Sequence, residues 1–259
     1  MNVHPVLVTF VAASLVMSAV FLVQMRTRNA GWVDVAWSYL MAGAAVWYAC
    51  VGTGAELPRV LVAVLASLWG LRLGTHLFVR VSHEPEDGRY AFLRTHWNDS
   101  QPKFFGFFLF QAALTALLSL PYHAVAQNPE PGFTAWTALA LVVFVGSVSM
   151  EALADLQLKR FRADPSNRGQ VCDVGLWRWS RHPNYFFEWL HWFAYVLLAA
   201  GGPQGWLALT GPVLMFAFLM RVSGIPWSEA QALRSRGDDY RKYQRDVSAF
   251  FPWKPRGNR

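Results

Sequence analysis

The chain has 259 residues, of which 54% are hydrophobic and 15% charged, well under the roughly 25% charged residues of a soluble domain. Its formal charge of +7 does not mark a nucleic-acid binder, because the basic residues fall in short loops between apolar runs. The two cysteines, Cys50 and Cys172, are far apart and lack a ligand pattern, so neither a disulfide framework nor a zinc site is implied.

Seven stretches approach the ~20 apolar residues needed to cross ~30 Å of hydrocarbon: 4–25, 32–52, 58–80, 104–125, 134–157, 184–201 and 204–223. The first lacks a basic leader and a small-residue cleavage site, so it reads as a retained span. Asp34 opens the second span, and Trp37, three residues on, shares its helix face. Arg72 and His76 are four apart on one face of the third. A charged loop, Glu84-Pro85-Glu86-Asp87-Gly88-Arg89-Tyr90, follows. The fifth span ends in Glu151, Asp155, Lys159 and Arg162, one polar stripe at helical spacing. Such a stripe has to face protein or water, because facing lipid is very costly. Arg168 lies in the next loop.

The polar residues are densest in Gly175-Leu176-Trp177-Arg178-Trp179-Ser180-Arg181-His182-Pro183-Asn184-Tyr185-Phe186-Phe187-Glu188. Pro183 suits a first helical turn, where its missing N–H costs nothing. Asn184, Glu188 and His191 then share one face, with Tyr185, Trp189 and Trp192 beside it. Arg181 and His182 fall at the helix N-terminus, where free N–H groups and the helix dipole favour anions. That pattern suits a phosphate-bearing cofactor, with aromatic faces to stack on it. The plainer alternative is a basic loop with an aromatic belt. A last amphipathic helix is predicted over 227–247, lying on the inner membrane interface.

Basic residues orient the bundle. Cytoplasmic loops are enriched in Lys and Arg, and a seven-span chain with its N-terminus outside puts 21 of the 23 basic residues on the cytoplasmic side. The expected architecture is therefore all-α: one membrane domain, 1–259, of about seven transmembrane helices with a cytoplasmic C-terminal amphipathic helix. The expected location is a bacterial inner membrane.

Arg181-His182-Pro183-Asn184-Tyr185, with Glu188 three residues on, resembles the C-terminal signature of the steroid 5-alpha-reductase superfamily. The signature region spans about 150–259. The resemblance to that superfamily's little-characterised bacterial branch, described as a domain of unknown function, extends further. It takes in Asp34-Val35-Ala36-Trp37, the Glu86-Asp87-Gly88-Arg89-Tyr90 run, and Phe110-Gln111 leading to Ser119-Leu120-Pro121. It also takes in Ser223-Gly224-Ile225-Pro226-Trp227-Ser228-Glu229, then Tyr240, Tyr243, Phe250 and Pro252.

The resemblance implies a reductase that uses NADPH to saturate a carbon–carbon double bond in a lipid. The apolar substrate would enter from the bilayer. Carried over by position, the cofactor contacts are Asp155, Arg162, Arg168, Trp177, Asn184, Tyr185, Glu188, Arg221 and Tyr240, beside Arg181 and His182 from the helix-terminus pattern. The catalytic pair would be Tyr90 and Asp34. The Gln-Glu pair of the steroid reductases is absent, and Asp34 is the nearest acid, at a different spacing. The alternative is a membrane methyltransferase of the isoprenylcysteine carboxyl class, which uses S-adenosylmethionine and shares an Arg-His-Pro segment.

Overall fold

The computed structural model describes residues 4–222 and 224–256. They are all-helical, with no strand among the described residues. The helices are α1 (Pro5–Thr27), α2 (Trp32–Val51), α3 (Glu56–His83), α4 (Gly88–His96), α5 (Gln101–Leu118), α6 (Leu120–Ala126), α7 (Ala135–Ala163), α8 (Pro183–Leu198), α9 (Thr210–Ala217) and α10 (Ile225–Asp246). Among the described residues, five helical stretches are long and apolar enough to cross a membrane: Pro5–Thr27, Glu56–His83, Gln101–Ala126, Ala135–Ala163 and the one that begins at Gly205. The other two predicted spans fold as α2, of 20 residues, and α8, of 16. At 1.5 Å per residue the latter is about 24 Å long, short of the ~30 Å hydrocarbon core.

Local chemistry sets the helix ends. Pro5 occupies the first turn of α1, where His4 Nδ1 accepts the Val6 N–H at 3.3 Å. Arg28 closes α1 in the left-handed conformation, φ 57°. The predicted span 104–125 is broken in two. Pro121 has no N–H to give, and its ring clashes with the carbonyl four residues back. The helix therefore stops at Leu118 and restarts at Leu120. Ser119 Oγ donates to the Ala116 carbonyl at 3.0 Å and lies 3.3 Å from the Tyr48 hydroxyl. The predicted span 204–223 is likewise composite: a 3-10 turn at Gly205–Leu209, then α9, then a π-helical turn at Phe218–Val222.

The chain groups into two compact units: Met1–Thr137 with Tyr195–Gly211, and Ala138–Ala194 with Pro212–Arg259. In the first, α2 lies along α3, and α1 packs on α5 and α2. Its core holds Ala13, Met17, Phe21, Ala30, Val33, Ala36, Tyr90, Phe104, Phe108 and Ala112. In the second, Ala232, Tyr240, Tyr243 and Val247 form a small core with Val171 and Leu233 against it. Leu15, Val142 and Val213 point outward, each more than 60% exposed, as lipid-facing residues do.

The approach of α2 to α3 depends on small residues, the usual route to close helix packing in a membrane. A Cβ on Gly70 would sit 2.8 Å from the Ser38 carbonyl oxygen and 3.1 Å from the Ala42 Cβ. One on Gly43 would meet nothing within 4 Å. Gly70→Ala is expected to destabilise the protein by about 1–3 kcal/mol, seen as a lower thermal midpoint in detergent. Gly43→Ala is expected to leave it unchanged or raise it by up to ~1 kcal/mol, since alanine favours helix.

Candidate functional site

Two polar clusters stand out, one in each unit. The first is built around Asp34, the third residue of α2. Tyr90 Oη donates to Asp34 Oδ1 at 2.6 Å, and Arg89 Nη2 donates to Oδ2 at 3.3 Å. Asp87 caps α4 by accepting the Arg89 N–H at 2.9 Å. Its Oδ1 also takes Arg89 Nε at 3.0 Å, and its Oδ2 takes Arg80 Nη2 at 3.3 Å. Each carboxylate here is met by donors, and each arginine by acceptors.

Tyr90 is 4% exposed, with its ring 6.0 Å from that of Phe107 and the Arg89 guanidinium 5.4 Å away. Burial and then the Asp34 charge push its hydroxyl well above the usual tyrosine range, against the opposing Arg89. Tyr90 thus stays protonated at physiological pH. Burial alone would raise Asp87, but Arg89, through charge and hydrogen bonds, and Arg80 outweigh it and hold the carboxyl below its ordinary value.

A second ionic group anchors the same helix. Arg94 pairs with Glu86 at 2.7 Å and with Asp99 at 2.6 Å, over the Phe104 ring at 4.8 Å. Glu86 also accepts the Ala30 N–H at 2.8 Å, and Arg28 pairs with Asp99. Sequence reasoning leaves Arg89 and Arg94 out of the candidate site. Arg89 is signalled by the charged 84–90 loop, whereas Arg94, farther along the helix, has no such local mark.

The second cluster gathers most of the C-terminal candidates. Arg181 gives Nε to Glu229 Oε1 at 2.6 Å, and Nη1 to the carbonyls of Gln244 at 2.9 Å and Val247 at 2.6 Å. Its side chain is 10% exposed and that of Glu229 15%. His182 Nε2 lies 3.3 Å from the same Glu229 oxygen, and its ring stacks on Tyr185 at 5.3 Å. Burial lowers His182 despite Glu229, so the ring is neutral near pH 7. Asn184 Nδ2 donates to Asp155 Oδ1 at 3.0 Å, and the Tyr185 hydroxyl lies 3.0 Å from Ser228 Oγ. Glu188 Oε2 is 3.8 Å from His191 Nδ1. Trp177 is buried, its Nε1 donating to the Ala154 carbonyl at 2.9 Å, while the Tyr243 hydroxyl donates to the Trp177 carbonyl. Tyr240 is buried beside Tyr243 at 5.8 Å.

Arg162, Arg168 and Arg221 are exposed. Arg181 differs from the expectation of an anion ligand, since its guanidinium is taken up by Glu229 and the C-terminal backbone. Glu229, 48 positions away, is the residue sequence spacing could not connect to it. Of the remaining polar residues read from the sequence, Glu151 is buried and Lys159 and His76 are exposed. No group of three or more metal-ligating side chains occurs among the described residues.

An all-helical chain with several membrane-length apolar helices is an integral membrane protein. The model of the family described as protein of unknown function DUF1295 matches residues 20–247, and the chain belongs to that family, which is steroid 5-alpha-reductase-like. An uncharacterised protein of the fission yeast Schizosaccharomyces pombe is 27% identical over 281 residues, covering 97% of this chain and 80% of its own length.

Two outcomes follow from these pairings. Glu229→Ala leaves a nearly buried guanidinium without its carboxylate, and is expected to cost about 3 kcal/mol, measured by thermal unfolding in detergent. Asp87 has a depressed folded pKa. Its contribution is present above its unfolded pKa of ~3.9 and is lost as pH falls through the folded value. Wild-type stability is therefore expected to drop more steeply below about pH 4 than that of Asp87→Asn, which starts lower at neutral pH.

Proposed function

We propose that the protein is a membrane reductase that uses NADPH to saturate a carbon–carbon double bond conjugated to a carbonyl in an apolar, lipid-like substrate. The observation that carries this reading is the 2.6 Å hydrogen bond from buried Tyr90 to half-buried Asp34. A protonated phenol held in an apolar cluster is a donor of the kind that stabilises an oxyanion forming during reaction.

The donors available to a dinucleotide fit this reading. Exposed Arg162, Arg168 and Arg221 offer forked N–H groups suited to phosphate. Asn184 is oriented by Asp155, and the Tyr185 ring is fixed by His182 and Ser228. Trp177, Glu188 and Tyr240 frame the same segment. Arg181 and His182 hold the fold of that segment. When bound, NADPH supplies the hydride.

The chain's own part concerns one proton. A tyrosine has a single O–H, and here it is donated to Asp34. Arg89 occupies the second Asp34 oxygen. When a substrate carbonyl is present, the Tyr90 O–H turns from Asp34 to that oxygen and hydrogen-bonds it as it gains negative charge during reduction of the adjacent double bond. The phenol keeps its proton, and the proton that completes saturation of the carbon–carbon bond comes from water. Arg89, held by Asp87, keeps Asp34 in position throughout.

The same proposal has seven spans, α2 and α8 completing the count, in a bacterial inner membrane. The N-terminus is outside and the C-terminus cytoplasmic. Nearly all the lysines and arginines support that orientation. Substrate enters from the bilayer.

The test is ligand binding to detergent-purified protein. A ligand that binds only the folded state raises its stability by mass action. NADPH is expected to raise the thermal midpoint, with the rise lost in Asn184→Ala. A rise with S-adenosylmethionine and none with NADPH would replace the reductase by a methyltransferase. Tyr90→Phe is expected to lower turnover about a hundredfold, the order of one lost oxyanion donor, while NADPH binding is kept. Unchanged turnover would remove Tyr90 from the reaction.

A further inference from the structure

A cavity of about 230 Å³ lies in the first unit, where α3 and α7 begin and α8 ends. Leu57, Pro58 and Leu61 of α3 line one side, and Leu197 and Leu198 of α8 another. Residues between Asn128 and Thr137 line the rest. The cavity is at the other end of α2 from Asp34, about 25 Å along the helix axis. It takes no part in the chemistry proposed for Tyr90.

Hydrogen bonds tie its walls together. The Gly54 N–H donates to the Ala126 carbonyl at 3.0 Å, and the Ala55 N–H to the Asn128 carbonyl at 2.8 Å. Thr53 Oγ1 donates to Gln127 Oε1 at 2.6 Å. The buried Asn128 side chain gives Nδ2 to the Leu198 and Ala200 carbonyls at 2.7 and 3.3 Å, and its Oδ1 accepts the Glu130 N–H at 3.1 Å. Asn128 is therefore a strut that joins three connections, and the space it frames is preformed.

The groups left for a ligand are one charge and one ring. Glu130 lines the cavity, and no lysine, arginine or histidine does so among the described residues. Glu130 Oε1 accepts the Gly132 N–H at 3.0 Å, which orients the carboxylate and leaves Oε2 as an acceptor. Arg59, next to Pro58, spends its guanidinium elsewhere: Nε donates to the Ala49 carbonyl at 2.6 Å and Nη2 to the Cys50 carbonyl at 3.4 Å. Trp136 lines the same cavity and is 56% exposed. An indole face attracts a cation. A carboxylate without a counter-charge, set in apolar walls, draws cations and repels anions. The volume is below the ~300 Å³ at which pockets begin to hold drug-sized ligands, so a small group fits.

We infer that this cavity is a binding site for a small alkylammonium group. Its N–H donors meet Glu130 and the Trp136 face, and its carbons meet Leu57, Leu61 and Leu197. Such a group has two sources, the amine headgroup of a phospholipid or a free aliphatic amine. The inference stands apart from the proposed function.

The experiment uses the full chain in nanodiscs of phosphatidylglycerol, which carries no amine. The probes are butylammonium and neutral butanol, and dissociation constants come from the concentration dependence of the thermal midpoint. Wild-type protein is expected to bind butylammonium about tenfold more tightly than butanol, the order of one charge-assisted hydrogen bond. Glu130→Gln keeps the shape and the Gly132 bond. It is expected to lose that tenfold advantage in the same discs, which controls for the anionic bilayer. Trp136→Leu is expected to weaken butylammonium about threefold. Equal binding of the two probes by wild type, no binding of butylammonium, or an advantage that survives in Glu130→Gln would each overturn the inference. Wild type alone decides the first two, whatever the variants do. Discs containing phosphatidylethanolamine then separate the sources. A loss of butylammonium affinity there assigns the cavity to the lipid amine, and an unchanged affinity assigns it to a free one.

Discussion

A carboxylate three residues into an apolar helix demands hydrogen bonds wherever that helix goes. An ionised group taken out of water is costly unless it is paired and bonded. Asp34 meets the demand with Tyr90 and Arg89, both from α4. Arg89, itself half-buried, then needs Asp87, and Asp87 shares its second oxygen with Arg80 at the end of α3. A short helix that buries little apart from Tyr90 is thereby fixed to α2 and α3 by charge. Its other end is held by Arg94, Glu86 and Asp99. The same bonds that place the helix also place the phenol, so folding and the proposed chemistry rest on one set of contacts.

The second unit solves a related problem with the sign reversed. Arg181 carries a nearly buried positive charge, and the C-terminal segment closes around it. Glu229 supplies the counter-charge, while two backbone carbonyls near the end of α10 take the remaining N–H groups. An Arg at a helix N-terminus would ordinarily read as an anion receptor, but here the receptor is filled by the chain itself. In the proposed reading, phosphate would fall to the arginines that remain exposed, Arg162, Arg168 and Arg221.

Much of the fold was legible because it follows from period and composition. Apolar runs mark the helices, Pro183 the start of α8, and residues 227–247 an amphipathic stretch of which all but Val247 lies in α10. What the sequence hides is discontinuity and long-range pairing. The run 104–125 reads as one span, since Pro121 breaks the helix without interrupting its hydrophobicity. The pairing of Asp34 with Tyr90 spans 56 positions, and that of Arg181 with Glu229 spans 48. No local spacing encodes either. Asp34 and Tyr90 were still selected, one as a charge inside a span and the other as a tyrosine among charges. Glu229 lay in an ordinary-looking amphipathic helix.

Glu229 and Gln244, joined by a bond of 2.7 Å, are 15 residues apart. Gly237 stands between them at φ 51°, ψ −121°, a conformation closed to residues with a Cβ. The two arms of α10 grip one guanidinium from opposite sides of that break. In an α-helix one added residue turns everything beyond it by about 100°. An insertion in either arm would swing Glu229 or the Gln244 and Val247 carbonyls off Arg181. The stretch from 229 to 247 therefore acts as a ruler. Its side chains are free to vary on the solvent face, while its length is held constant by a single cation, and chains that share this grip are expected to differ here by substitution and not by gaps.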